Sequence, residues 1–285
     1  MTHNITLRAW SVGYLVNNHT FFNVRHVFNK TVYLEGENND LIILSAYEWR
    51  APFIVNVHAE EITSFKQIVK PEEKVIVDRE SFVFKESGLI VKLEGSEHYT
   101  GLEPPESISP LGLPEINRLL GILVLLSTCF EDSFWSRERK MICNALLSGE
   151  TLSEHTMMKI VGLGGGFTPS GDDFYTGYLA SLAYHEKVRG RSNTALIIPD
   201  VVLNRTTWAS RRLIQYAAKG IFDEAIEELL KNMYEGSIER AVNSLIQLAR
   251  RGHTSGFYLA VGLITGFTER VHRNKSACLK RICNA

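Results

Sequence analysis

Two stretches of this sequence carry hydroxyl, carboxylate and glycine residues at matching spacing. "TPSGDDFYTGYL" from Thr168 and "HTSGFYLAVGLI" from His253 both read x-x-Ser-Gly, five residues, Gly, then an apolar pair. Ser170 falls on Ser255, Gly171 on Gly256 and Gly177 on Gly262. A serine ahead of an apolar run marks a helix start, and the unpaired amides of such a start attract anions. The first copy follows Gly164, Gly165 and Gly166, a run whose entropic cost needs a reason such as positive φ or close approach by another group. Two helices that cross at Gly177 and Gly262 would bring both starts to one cavity. The candidate anion-binding set is Gly164, Gly165, Gly166, Thr168, Ser170, Gly171 and Asp173 from the first copy, with Thr254, Ser255 and Gly256 from the second. "NRTTWASRR" adds a third group: Asn204, Thr206 or Thr207 as a cap, and Arg205, Arg211 and Arg212 as positive charge, of which Arg205, Thr206 and Thr207 join the set.

His253 and Asp172 are the candidate catalytic groups. His253 could protonate or hydrogen-bond a bound anion, or be a solvated neighbour of the preceding helix end. Ser170-x-x-Asp173 also fits a capping box, with the serine oxygen on the Asp173 amide and the carboxylate reaching back. That leaves Asp172 free to face the cavity, to bind a substrate amide or to hold Mg²⁺; a solvated carboxylate is equally consistent. No cofactor is called for, and Mg²⁺ is the one ion the carboxylates invite. Other phosphate loops fail on spacing. Phe167 stands where a dinucleotide fingerprint needs its last glycine, and Asp172 and Asp173 stand where a Walker loop needs Lys and Ser/Thr.

The elements that must position these groups change character along the chain. "TFFNVRHVF", "TVYLEG", "LIILSAY", "FIVNVHA", "KVIVD", "SFVFK" and "LIVKLEG" are short β-branched and aromatic runs separated by turn formers, which predicts an antiparallel β module. Pro104, Pro105, Pro110 and Pro114 then fall in one short stretch that suits neither helix nor central strand. Beyond it the apolar period becomes helical, in segments beginning at Glu115, Ser133, Leu152, Gly171, Thr206, Asp223, Ser237 and Gly256. Gly149 suits the cap of the second. "TALIIPDVVL" interrupts the pattern, and Pro199 argues against a buried strand there. The fold class is α+β: residues 1–105 form the β module and residues 106–285 a helical domain carrying the glycine loop and the repeat.

With 31 basic and 32 acidic side chains in 285 residues, the chain carries no field that favours nucleic acid or an anionic membrane. Its longest apolar run, from Leu119, is far shorter than the roughly 20 residues a membrane span needs. Cys129, Cys143, Cys278 and Cys283 show neither zinc spacing nor a disulfide framework and read as reduced thiols. A cytoplasmic location is expected.

"GLGGGFTPSGDDFYTG", "RTTWASRRLIQYAAKGIFDEAIEELL" and "RGHTSGFYLAVGLITG", in this order, resemble the AllH-like family over roughly residues 115 to 270. Gly165 departs from the family pattern, which carries a proline there. The resemblance implies a subunit of an oxamate carbamoyltransferase-like enzyme of anaerobic allantoin degradation. Its reaction moves a carbamoyl group between phosphate and the nitrogen of oxamate, giving or consuming oxalurate. Implied partners are a small anionic substrate and the other subunits of such a complex; self-association into a homo-oligomer is a further option. Two other readings stay open: a noncatalytic assembly subunit, and a Mg²⁺-dependent hydrolase using the paired aspartates.

Overall fold

The computed structural model describes residues 5–78, 80–128, 140, 153–191 and 196–272. Apart from Lys140, the helix expected at 133–149 with its Gly149 cap lies outside the described residues, as do the four cysteines. The chain divides into two compact units, Met1–Gly101 and Leu102–Ala285.

The first unit is a nine-stranded sheet: β1 (Thr6–Gly13), β2 (Phe21–Val27), β3 (Thr31–Gly36), β4 (Leu41–Ser45), β5 (Ile54–Val57), β6 (Lys74–Val77), β7 (Ser81–Phe84), β8 (Ile90–Lys92) and β9 (Glu97–Tyr99). Neighbours run β5-β4-β3-β2-β6-β7-β8-β1-β9, and β5 also pairs with β1, so eight strands close into a barrel with β9 appended. Closure removes the unpaired edges an open sheet would expose. Most ladders are antiparallel; β1–β8, β1–β9 and β4–β5 are parallel. Alternation fills the interior: Phe22 and Val24 of β2, Val32 and Leu34 of β3 and Phe82 and Phe84 of β7 are all buried. Asn38 and Asn39 adopt left-handed φ of 63° and 60° between β3 and β4, the conformation asparagine tolerates best after glycine. Glu73 is fully buried, and the amides of Lys70, Glu86 and Ser87 and the Ser87 hydroxyl all donate to its carboxylate.

The second unit is helical: α1 (Leu113–Ser127), α2 (Glu154–Ile160), α3 (Ser170–Val188), α4 (Asp200–Leu203), α5 (Trp208–Ala218), α6 (Glu224–Tyr234), α7 (Ile238–Ala249) and α8 (Ser255–His272). "TALIIPDVVL" holds no strand among its described residues; Pro199 is the N-cap of the short α4. Every residue of α3 from Ser170 to His185 is buried, as expected of a helix surrounded by others rather than lying on a surface. Its main partner is α8. A β-carbon at Gly177 would land on the Leu259 carbonyl oxygen, and one at Gly262 on the Phe174 carbonyl oxygen. The two backbones meet at these glycines, closer than any side chain allows, and the crossing fixes where both helices begin.

Candidate functional site

Ser170 is the first residue of α3 and Ser255 the first of α8, and neighbouring side chains touch across the two starts. The hydroxyls of Thr168 and Ser255 are hydrogen-bonded at 3.0 Å. Both also address Asp173: with Thr168 donating to Ser255, the Ser255 proton goes to the Asp173 carboxylate, which lies 3.5 Å from the Thr168 hydroxyl as well. The start of α5 joins from a third direction. There the Thr207 hydroxyl donates to the Phe167 carbonyl at 3.1 Å, and the Thr206 hydroxyl donates to Oδ2 of Asp172. Thr207 is the cap of α5, its oxygen accepting from the Ser210 amide at 3.2 Å.

Two sequence expectations are corrected here. Ser170 does not cap α3. Pro169 occupies the cap with extended φ and ψ, and its carbonyl accepts from the amides of Asp172 at 2.9 Å and Asp173 at 3.1 Å. The Asp173 amide is therefore bonded to backbone, and no side-chain cap exists; the Ser-x-x-Asp spacing is real but starts one residue too late. Nor is Asp172 free to face a cavity or solvent. It is almost fully buried, and its Oδ1 accepts from the Gly162 amide at 2.7 Å while its Oδ2 takes the Thr206 proton. The carboxylate ties the glycine loop to the start of α5.

The glycines divide by duty. A β-carbon at Gly171 would land on the Ile160 carbonyl oxygen and one at Gly256 on that of Leu248, so both are packed against their own chain. The Gly171 amide also donates to the Leu163 carbonyl at 2.8 Å. Gly164 and Gly166 take left-handed φ of 112° and 89°; Gly165 and Gly166 are exposed, and nothing stands within 4 Å of where a Gly166 β-carbon would be. Gly164 and Gly166 are shaped by the turn, and Gly166 leaves open space beside it. Thr168, Thr254 and Ser255 are half-buried, so the cluster reaches the surface through hydroxyls.

His253 is exposed in the turn before α8, and Arg205 is exposed ahead of α5. Arg211 and Arg212 turn elsewhere, to the Leu203 carbonyl at 3.0 Å and to Gln215 at 2.8 Å. A cation the sequence reading passed over is Arg251. It pairs with Asp223, the cap of α6, at 2.7 Å, and it also stabilises ionised Asp173 through its charge. Its position directly before the Gly-His-Thr-Ser turn was the available signal. Gly162 was likewise missed as the donor to Asp172.

Burial dominates the electrostatics. Desolvation pushes the Asp173 carboxyl up to about 8, with the neighbouring Asp172 charge adding to the rise and the Ser255 and Thr168 hydroxyls opposing it. Asp172 is raised as well, again by desolvation, against the hydrogen bonds from Thr206 and Gly162. At neutral pH Asp173 is therefore largely a neutral acid. Two hydroxyls and a protonated carboxyl at adjoining helix starts can bind an anion, or exchange a proton with it, without like-charge repulsion.

Residues 160–267 match the family model described as oxamate carbamoyltransferase subunit AllH. The matched span runs from the end of α2 into α8 and contains all three converging helix starts. Searches of curated proteins and of solved structures found no match. Among the described residues, no helix is long and apolar enough to cross a membrane.

Proposed function

We propose that the chain is a subunit of an oxamate carbamoyltransferase-like enzyme and that it binds a small anion, carbamoyl phosphate, oxamate or oxalurate, where α3, α5 and α8 begin. The observation that carries this reading is the contact between Thr168 and Ser255 inside the family-matched span. Residues 87 positions apart share one hydrogen bond at the starts of two long helices, whose dipoles favour negative charge. Asp173, buried behind them, adds no negative charge below about pH 8, and Thr168, Thr254 and Ser255 supply hydroxyls that reach solvent. Gly164 to Gly166 lend amides from the exposed loop, while Asp172 and Gly171 hold that loop in place. Arg205 and His253, both exposed, stand at the approach, with His253 able to hydrogen-bond an arriving anion. The other subunits of the complex complete the enzyme.

This arrangement favours an anion over a Mg²⁺ ion, because both oxygens of Asp172 already accept from the chain. Calorimetry of the purified protein against carbamoyl phosphate, oxamate and MgCl₂ in separate titrations tests the reading. Heat with either anion and no metal supports it. Heat only with Mg²⁺ supports the hydrolase alternative, and silence in all three supports a noncatalytic assembly subunit.

A further inference from the structure

We infer that Ser255 is a nucleophile that receives the carbamoyl group, with Asp173 as the base that takes its proton. The inference rests on the carbamoyl-transfer reading above and adds a covalent step to it. Its basis is the geometry of one hydroxyl. Ser255 donates to the Asp173 carboxylate, which lies in a different helix, and its oxygen is bonded at 3.0 Å to the hydroxyl of Thr168. An alcohol hydrogen-bonded to a buried base, with a third group orienting it, is the pattern by which enzymes activate a weak nucleophile. Ser255 is also the half-buried member of the pair, whereas Asp173 is only 5% exposed. The nucleophile thus faces the substrate side and the base faces the core. Asp173 suits the role, since its acid strength is tuned close to neutral pH.

The step balances without another reactant. Ser255 Oγ bonds to the carbonyl carbon of carbamoyl phosphate as its proton passes to Asp173; the carbon–oxygen bond to phosphate breaks, and inorganic phosphate leaves with that bond's electrons. The amino group of the acceptor acid then attacks the carbamoyl carbon. The bond to Ser255 Oγ breaks, Asp173 returns the proton to that oxygen, and the acceptor nitrogen loses its extra proton to water. The positive dipole ends of α3 and α8 stabilise the oxyanion in both halves.

The test omits the acceptor. The protein, with whatever subunits co-purify with it, is incubated with carbamoyl phosphate and isotopically labelled inorganic phosphate. The covalent route requires label to appear in carbamoyl phosphate, and a peptide containing Ser255 to gain the mass of one carbamoyl group after acid quench. Ser255→Ala should abolish the exchange while changing carbamoyl phosphate affinity by less than tenfold. Exchange in the parent protein should rise with pH and level off above about 8, the value of Asp173. Carbamoyl phosphate that binds calorimetrically, with neither exchange nor a modified Ser255 peptide, overturns the covalent step and leaves the binding reading standing. Absence of binding overturns both.

Discussion

Asp173→Asn should stabilise this protein at alkaline pH and leave it nearly unchanged at acid pH. The ordinary carboxyl value is 3.8 and the folded one is about 8, a displacement of roughly four pH units at about 1.4 kcal/mol each. Between these values the unfolded chain has lost the proton and the folded chain retains it, so stability falls as pH rises through the window. The ceiling on the loss is about 6 kcal/mol; burial penalties after relaxation are several kcal/mol per ion, so a loss of about 3 kcal/mol is a fair threshold. Asparagine has the shape of the protonated acid and does not titrate. Urea unfolding of parent and variant at pH 5 and pH 9 gives the difference directly. The variant should exceed the parent by less than about 2 kcal/mol at pH 5, where the unfolded carboxyl has already begun to lose its proton, and by at least ~3 kcal/mol at pH 9, or roughly 6–12 °C in Tm for a helical unit of this size. The histidines titrate in both proteins and cancel, while Asp172, whose charge adds to the rise of Asp173, is relieved in the variant and enlarges the difference at pH 9. A parent-to-variant difference that is the same at pH 5 and pH 9 would show that burial does not hold Asp173 neutral.

Other outcomes follow from single contacts. Thr207→Ala removes the side-chain cap of α5 and should cost about 1 kcal/mol by thermal unfolding, whereas Ser170→Ala removes no cap and should lose no cap energy. Gly262→Ala drives a methyl group into the Phe174 carbonyl and should lower stability by about 1–3 kcal/mol or prevent folding, read by circular dichroism. Buried His185 is bonded to the Tyr234 hydroxyl at 2.7 Å and burial lowers its pKa, so the unfolded chain takes up the proton first. Its contribution is intact above the ordinary value of 6.5 and is lost as pH falls below it, and a stability profile of His185→Gln should lack that acid-side fall. Thr206→Val leaves Asp172 short of a donor in a buried place and should cost about 1–3 kcal/mol.

Much of the fold is written in local patterns. Seven of the nine strands were visible as β-branched or aromatic runs, because alternation on a barrel wall follows the two-residue period. β1 and β9 were not. β1 buries Ser11 among its inward positions, and β9 is three residues with a buried Tyr99, too short for any period. The parallel pairings that these two strands make are non-local and leave no mark in sequence. In the helical unit, repeat spacing placed Gly177 opposite Gly262, since a shared glycine offset is itself a packing instruction. The capping of α3 was misread because Pro169 can hold extended backbone and accept two amides through its carbonyl, which a Ser-x-x-Asp pattern does not reveal. Asp172 was misread for a different reason. Its partners lie 10 and 34 residues away, and a carboxylate's burial is decided by elements that arrive from elsewhere.

Hydrogen exchange with and without saturating carbamoyl phosphate tests the central claim most directly, because it reports where the ligand acts as well as whether it binds. Binding where the three helices begin should protect the amides of residues 164–168 and 253–256 together, with the amides around Thr206 and Thr207 slowed as well. Protection confined to other segments, or no change anywhere at saturating ligand, would contradict a shared anion site at these helix starts.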